Sequence, residues 1–241
     1  MIRLAMWSGP RNISTALMRS WENRGDCVVV DEPLYAHYLS VTQLDHPARE
    51  EVIAAGDTDW RRVASWLTDG DPRPGATVFY QKHMTHHLLP RIEYDWIRRL
   101  RNVLLIRDPR EVVASYVKSR ASVTPEDIGL PQQITLYDVL SAAGEPPPVI
   151  DAADFLRAPG GHLRALCDLV GVPFTDRMLA WPPGRRDSDG VWAPHWYHAV
   201  WESTGFEPWR PRNPQLSGEP ARTAAACLPH YERLHAARLR L

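Results

Sequence analysis

IRLAMWSGPRNISTALMRSWEN, residues 2–23, is the stretch of sequence that decides the fold. Its apolar run Ile2–Trp7 predicts a strand, and the apolar spacing after Ser14 predicts a helix, so a tight turn joins the two. A helix start presents unpaired backbone N–H groups and partial positive charge, which together can hold a phosphate or a sulfate. Arg11 adds a permanent cation, and the hydroxyls of Ser14 and Thr15 add donors. The turn therefore predicts an anion-binding loop.

A purely structural explanation of this turn also stands at this point. Gly9 can serve only to relieve a tight turn, and Ser14 can serve only to cap the helix. The turn lacks the G-x-x-x-x-G-K-[ST] pattern of a Walker loop, so it is not typical of an ATP-hydrolysing protein.

The composition is that of an ordinary globular chain. The 241 residues are 44% apolar and 24% charged, with a net charge of −1. We therefore predict one domain over residues 1–241, with no broad basic face for nucleic acid or for a membrane. The three cysteines are far apart, which argues against a disulfide framework or a metal site. No signal peptide or membrane span is recognisable, so we expect a cytoplasmic protein.

Strand-length apolar runs alternate with segments of helical spacing. The predicted strands are Ile2–Trp7, Cys27–Val30, Thr77–Tyr80, Asn102–Ile106 and Pro148–Ile150. The predicted helices are Ser14–Asn23, Asp59–Leu67, Glu93–Arg99, Pro109–Lys118 and Gly161–Val170. This alternation predicts an α/β fold of three layers, with a mostly parallel central sheet and helices on both faces. Residues 181–211 hold five tryptophans among prolines and charges. They predict an irregular C-terminal flap, either packed by its own aromatic side chains or acting as a lid over a ligand.

Two pairs of residues offer further phosphate contacts. Arg107 follows a predicted strand and Ser115 lies two turns into the next helix, so a guanidinium and a hydroxyl can hold one phosphate. Arg185 and Arg186 offer two adjacent cations on a late loop, for a second phosphate. The alternative is that these arginines are surface charges and that Ser115 bonds to its own helix.

Two residues compete for the role of a general base. Glu32 follows the second predicted strand and would act as a base if burial raises its pKa. His83 follows the third, and the pKa of a histidine lies near neutral pH. The nearby His86 and His87 lack the carboxylate or cysteine pattern of a metal site, so we expect no metal here.

Together these segments resemble the sulfotransferases that use 3′-phosphoadenosine 5′-phosphosulfate (PAPS). The 5′-phosphosulfate loop of that family, P-[KR]-S-G-[TN]-T, is similar to Pro10–Thr15. Its 3′-phosphate motif, R-[DN]-P-x-[DE]-x-x-x-S, is matched by Arg107, Asp108, Pro109, Glu111 and Ser115. His83 falls on the family's basic histidine, and Glu32 resembles the glutamate of an E-P-[LF] segment in bacterial and carbohydrate-modifying members.

The resemblance implies a P-loop NTPase-like sulfotransferase fold and in-line sulfuryl transfer from PAPS to a hydroxyl or amine of a small-molecule acceptor, which leaves 3′-phosphoadenosine 5′-phosphate (PAP) and needs no metal. Arg11 would be catalytic, with His83 or Glu32 as the base. The implied nucleotide-binding residues are Gly9, Pro10, Arg11, Asn12, Ile13, Ser14, Thr15, Arg107, Ser115, Arg185 and Arg186.

The sequence also departs from the family pattern. Ile13 stands where the loop usually has glycine, Ala16 where cytosolic members have tryptophan, and Gln81 where many members have lysine. Two alternatives therefore stay open, a non-catalytic module that binds PAP or another anion, and a kinase of the P-loop type.

Overall fold

Five parallel strands form the centre of the molecule. The computed structural model describes residues 1–120 and 122–241. Its strands are β1 (Ile2–Ser8), β2 (Cys27–Asp31), β3 (Val78–Met84), β4 (Arg101–Ile106) and β5 (Val149–Asp151). They pair in the order β2-β3-β1-β4-β5, and every pairing is parallel. The predicted α/β class and parallel sheet are confirmed.

Helices follow most of the strands. They are α1 (Ser14–Glu22), α2 (Tyr35–Thr42), α3 (Arg49–Ala55), α4 (Trp60–Asp69), α5 (Pro109–Tyr116), α6 (Pro125–Ile128), α7 (Leu130–Ala142), α8 (Ala152–Arg157), α9 (Pro159–Val170), α10 (Ala193–Trp196), α11 (His198–Glu202) and α12 (Gly218–Ala236). In the part of the chain that the structure describes, no helix combines the length and the apolar character needed to cross a membrane.

The alternation of side chains along β1 builds one core on each face of the sheet. Leu4 and Met6 point into a cluster with residues of α1 and α9. Ala5 and Trp7 point the other way, into a cluster with residues of α4, α5, α7 and α12. Successive side chains of a strand face opposite sides, so a sheet covered on both faces needs apolar residues at consecutive positions. This requirement explains the unbroken run LAMW.

The chain leaves β1 and β4 towards opposite faces. Leu17 of α1 lies in the first cluster, whereas Val113 of α5 lies in the second. Because β1 and β4 are neighbours, their following loops diverge and open a crevice at the carboxyl edge of the sheet, where α/β proteins bind ligands. The buried side-chain amide of Gln133 donates to the carbonyls of Trp7 (3.1 Å) and Leu105 (3.0 Å) and ties these two strand ends together.

Two sequence-based assignments were wrong. The third strand does not end at Tyr80 but continues to Met84, so Gln81, Lys82 and His83 are strand residues. The helix predicted over Glu93–Arg99 is only a 3-10 turn at Ile97–Arg99. Trp96 and Ile97 are nevertheless buried. The apolar residues of this segment therefore pack into the core from a short connection before β4, and not from a helix.

Gly9 is packed against the backbone and gives a stability prediction. A Cβ at this position would lie 2.2 Å from the carbonyl oxygen of Ile128. We expect Gly9→Ala to lower the free energy of unfolding by about 1–3 kcal/mol, because rigid backbone must move. In the matched control Gly160→Ala, the new methyl would have nothing closer than 3.9 Å. That helical substitution should be neutral or stabilising by up to about 1 kcal/mol. Urea unfolding measures both, and equal effects would contradict the packing described here.

Candidate functional site

A cavity of about 470 Å³ opens at the crevice between the ends of β1 and β4. Most of the predicted site residues line it: Pro10, Arg11, Asn12, Ile13, Ser14, Thr15, Glu32, Arg107 and Ser115. The volume lies within the usual range for small-molecule and cofactor sites. The fold thus brings residues from the ends of three strands to one place.

The N-terminus of α1 is left uncapped at this cavity. Its N-cap residue is Ile13, which makes no side-chain cap hydrogen bond, and the first turn holds no acidic residue. By contrast, Asp59 caps α4 and Asp108 caps α5 through their carboxylates. Since the first amides of α1 have no capping side chain, they remain available to an anion in the cavity.

Arg11 connects the turn to α5. Its backbone is left-handed, with φ at 54°, and its Nε donates to the Ser115 hydroxyl at 3.0 Å. Arg107 donates from Nη1 to the Arg11 carbonyl at 2.8 Å and forms an ion pair with Glu111. The turn after β1 and the predicted Arg107–Ser115 pair therefore form one connected group at the carboxyl edge of the sheet.

Positive charge at this group exceeds what the protein neutralises. Burial and the charge of Arg107 both lower the pKa of Arg11. The Glu111 carboxylate pairs with Arg107, but none lies within ion-pair distance of Arg11 among the residues that the structure describes. A half-buried guanidinium next to another cation is stabilised by an anion. The geometry therefore favours a phosphate or sulfate group at Arg11.

A buried ion cluster forms a second wall of the cavity. The Lys82 ammonium donates to Asp31 (2.7 Å), to Glu32 (2.6 Å) and to the Tyr197 hydroxyl (2.9 Å). Tyr197 in turn donates to Asp31 at 2.6 Å. One lysine thus holds two carboxylates, and an ionised cluster carries one net negative charge. Of these residues, Glu32, Lys82 and Tyr197 line the cavity.

Glu32 combines a raised pKa with a left-handed backbone conformation. Burial raises the pKa of its carboxyl. The charge of Lys82 lowers it by less, so the pKa is raised overall. Its backbone has φ at 42°, a left-handed conformation that is strained for a residue with a side chain. A carboxylate held in such a conformation at a cavity wall is typical of functional sites.

The other candidate base, His83, lies outside the cavity. Its ring stacks on that of Trp7 at 4.0 Å between centroids, and Nε2 bonds to the Gln81 side chain at 3.2 Å. Only 1% of the residue is exposed. Burial lowers its pKa to about 3, so His83 is neutral at physiological pH. The extension of β3 explains this placement, because Lys82 and His83 alternate across the sheet.

The structure does not bring Gly9, Arg185 or Arg186 to the cavity lining. Arg186 pairs with Glu22 of α1 at 3.1 Å, and the Arg185 guanidinium lies over the Trp201 ring at 4.4 Å. In the same loop Asp189 forms an ion pair with the buried Arg19. The contacts of Arg186 and Asp189 attach the loop to α1, whereas Arg185 contacts Trp201 of α11. Both arginines, which the sequence assigned to a phosphate, thus have partners elsewhere.

The cavity also holds residues that the sequence analysis missed. Lys82 was overlooked because the third strand was ended too early. Tyr197 and Trp192 come from the tryptophan-rich segment 181–211, for which the sequence predicted an irregular flap that either packs on its own aromatic side chains or covers a ligand. Arg120, beyond the end of α5, also lines the cavity. In the sequence, only the position of Arg120 five residues after Ser115 could have indicated that it lies near the cavity.

Comparison with known families finds one matching model over nearly the whole chain. The family described as a sulfotransferase domain matches residues 2–238. Two solved structures share the fold at low sequence identity. The sulfotransferase from Alicyclobacillus acidocaldarius has 14% identity and a TM-score of 0.55, covering 98% of this chain and 95% of that one. The sulfotransferase domain of the Synechococcus PCC 7002 olefin synthase has 13% identity and a TM-score of 0.52, covering 94% of each chain.

Two curated relatives from Arabidopsis thaliana are more similar in sequence. Branched-chain-amino-acid aminotransferase-like protein 1 is 39% identical over 201 residues, and the like-named protein 2 is 36% identical over 201 residues. Each match covers 83% of this chain but only 36% and 35% of the respective relatives. The chain thus spans about a third of the length of these relatives.

The ion cluster gives a prediction about stability and pH. Lys82→Met leaves Asp31 and Glu32 buried without their cation, so we expect the free energy of unfolding at pH 8 to fall by roughly 3–5 kcal/mol. Burial raises the pKa of the Glu32 carboxyl above its unfolded value, so the folded variant binds more protons than the unfolded chain. Its stability should therefore recover as the pH falls towards about 4, where carboxyls protonate.

The exposed ion pair of Arg99 and Asp69 supplies the control for this experiment. Arg99→Met should leave the urea midpoint at pH 8 unchanged, because solvent screens that pair. A Lys82→Met protein as stable as the parent at pH 8 would contradict the described role of the lysine.

Proposed function

This chain belongs to the sulfotransferase domain family, and we propose that it transfers a sulfuryl group from PAPS to a hydroxyl or amine of a small-molecule acceptor, leaving PAP. The observation that carries the proposal is the connection of Arg11, Arg107 and Ser115 around the uncapped start of α1, in one cavity with a buried carboxylate. PAPS carries phosphate groups at two separate positions, and the two arginines with the nearby hydroxyl and amide groups can bind both of them.

The two ends of the proposed donor site take different parts of the nucleotide. Arg11, Ser14, Thr15 and the first amides of α1 would hold the 5′-phosphosulfate, and Arg107 with Ser115 would hold the 3′-phosphate. The ionic pair of Arg107 with Glu111 supports this, because it fixes the guanidinium fork in position. Bound PAPS supplies the sulfuryl group and a phosphate leaving group.

An apolar wall beside the turn is proposed to receive the adenine. Ile13, Leu156 and Phe206 line the cavity and pack against the core cluster that contains α1. Phe206 offers an aromatic ring, which stacks favourably on a flat base. This wall would compensate for Ala16, which stands where some members of the family have tryptophan.

Glu32 is proposed as the base that takes the proton of the acceptor. Its raised pKa strengthens it as a proton acceptor, and Lys82 with Asp31 fixes its side chain. Arg11 and the amides of α1 would meet the negative charge that grows on the leaving group. Donors of this kind contribute roughly 3–4 kcal/mol each to transition-state stabilisation. A transferred sulfuryl group carries less charge than a phosphoryl group, so these donors suffice without a metal in this proposal.

Residues 1–241 are proposed to act as one unit, with segment 181–211 covering the acceptor end of the cavity. Trp192, Trp196 and Tyr197 of this segment line the cavity, which supports a cover formed by aromatic side chains. Water would then be kept from the reacting group.

Two arginine variants separate chemistry from binding. Arg11→Ala should lower turnover by about 10²–10³-fold with only a modest loss of PAP affinity, because its charge acts mainly on the leaving group. Arg107→Ala should weaken PAP binding by about tenfold or more, with a smaller effect on turnover at saturating PAPS. Calorimetric titration with PAP and an assay with labelled PAPS measure the two quantities.

The matched control for these variants is Arg110→Ala, an exposed arginine on the same helix as Ser115. It should leave both quantities unchanged. Equal, small effects of the Arg11 and Arg107 changes would oppose the proposed division of roles. Binding of PAP without transfer to any acceptor would favour the non-catalytic module.

A third comparison tests the base. Glu32→Gln should lower the single-turnover rate by about 10²–10⁴-fold while leaving PAP affinity unchanged. The usual pKa of glutamate is about 4.3. In the parent protein the rate should fall as the pH is lowered through a pKa above that value, and this pH dependence should be absent in the variant. His83→Asn, assayed per folded molecule, should keep the parent rate within a few-fold. Loss of activity in His83→Asn but not in Glu32→Gln would overturn the choice.

A further inference from the structure

One end of the cavity is formed by a set of side chains that the donor proposal does not use. We call it the aromatic arm, and it consists of Tyr35, His46, His87, Trp196 and Arg120, all of which line the cavity. The Tyr35 amide bonds to the Glu32 carbonyl at 2.9 Å, so the arm begins beside the proposed base. It therefore lies where an acceptor presenting its hydroxyl to Glu32 would place the rest of its structure.

A continuous series of contacts runs along this arm. The Tyr35 ring stacks on His87 with centroids 4.8 Å apart, and its hydroxyl bonds to His46. His46 lies 5.6 Å from the Trp196 ring, and the Arg120 guanidinium lies over that same ring at 5.6 Å. Flat aromatic side chains thus connect the residue next to the Glu32 turn with the cation Arg120.

Arg120 is the charged group of this arm at neutral pH. Burial lowers the pKa of His46 to about 4 and that of His87 well below its usual value, so both rings are neutral. Burial also raises the pKa of Tyr35, which keeps its hydroxyl protonated. Arg120 donates from Nη1 to the backbone carbonyl of Asp45 at 3.1 Å. In residues 1–120 and 122–241 no carboxylate forms an ion pair with it.

Several buried polar atoms of this region have no hydrogen-bond partner among the described residues. They are Nη2 of Arg120, Nδ1 of His86 and both ring nitrogens of His87. Buried polar groups are nearly always bonded in folded proteins, so this concentration at one cavity indicates a polar occupant. Arg120 can only donate hydrogen bonds, and it therefore requires an acceptor of hydrogen bonds, best a negatively charged one.

We infer that the acceptor is a hydroxylated small molecule with a flat apolar body and a carboxylate, which presents its hydroxyl to Glu32 and its carboxylate to Arg120. This inference rests on the proposed function, because it assigns the remaining half of the same cavity. The aromatic rings of Tyr35 and Trp196 hold the body, and Arg120 is the residue that selects the acidic group.

The donor site does not account for Arg120. The charge of Arg120 lowers the pKa values of Tyr35, Tyr38, His46 and Tyr116, whereas the charge of Arg107 is the one that lowers the pKa of Arg11. Arg107 also contacts the backbone of Arg11 directly. Arg107 thus belongs to the group at the uncapped helix, whereas Arg120 belongs to the aromatic arm.

The test compares aromatic hydroxy acids with their own primary amides, which match them in size and hydroxyl but lack the charge. Three such pairs, including 3-(4-hydroxyphenyl)propionate and 3-(4-hydroxyphenyl)propionamide, are assayed with labelled PAPS. The proteins are the parent, Arg120→Gln and the matched control Arg91→Gln, an exposed arginine outside the cavity lining. Titration with PAP precedes every assay and reports the donor site separately.

The parent and Arg91→Gln should prefer acids over amides by about tenfold or more in kcat/KM, the effect of one charge-assisted hydrogen bond. Arg120→Gln should bring the acids down to the level of the amides and leave the amides and PAP affinity unchanged within about twofold. A parent that binds PAP but sulfates no acid, or an Arg120→Gln variant that loses acids and amides equally, overturns the inference alone. A parent that fails to bind PAP overturns the proposed function and this inference with it.

Discussion

The site depends on positive charge that the protein does not neutralise at the start of α1. The crevice between β1 and β4 collects the uncapped amides of that helix and the guanidinium of Arg11, and a second guanidinium holds the carbonyl of Arg11. Gln133 ties the two strand ends together underneath, and the left-handed backbone of Arg11 turns its side chain to Ser115. The fold thus holds two guanidinium groups and the uncapped amides of a helix close together, an arrangement that an anion would stabilise.

The second wall of the cavity carries negative charge, and part of that charge is neutralised within the wall itself. Two carboxylates and a phenol surround one buried ammonium, so the cluster is held together by its own ion pairs. Of the two carboxylates, Glu32 is the one that lines the cavity. A sulfuryl transferase needs such opposite ends, because a proton must leave the acceptor on one side while an anion departs on the other. The chain thus places the uncapped start of α1 and a buried carboxylate at one cavity, as the proposed reaction requires.

Features set by neighbouring residues were predictable from the sequence, whereas features set by distant contacts were not. The turn after β1 and the Arg107–Ser115 spacing are local, and the sequence identified both. His83 was expected near the cavity because the third strand was predicted to end at Tyr80. The strand continues to Met84, so the side chains of Lys82 and His83 point to opposite faces of the sheet. Arg186 was expected at a phosphate, yet its partner Glu22 lies 164 residues away in sequence. No local pattern could have revealed that contact, nor the approach of Tyr197 to the cavity.

The most direct test of the whole account is a calorimetric titration with PAP, with adenosine 5′-monophosphate and with adenosine 3′-monophosphate. If one nucleotide spans Arg11 and Arg107, PAP binds most tightly, each monophosphate binds about tenfold or more weakly, and both are displaced by PAP. If either monophosphate binds as tightly as PAP, or if the two bind together with PAP already in place, the two arginines do not serve a single nucleotide and the account is contradicted.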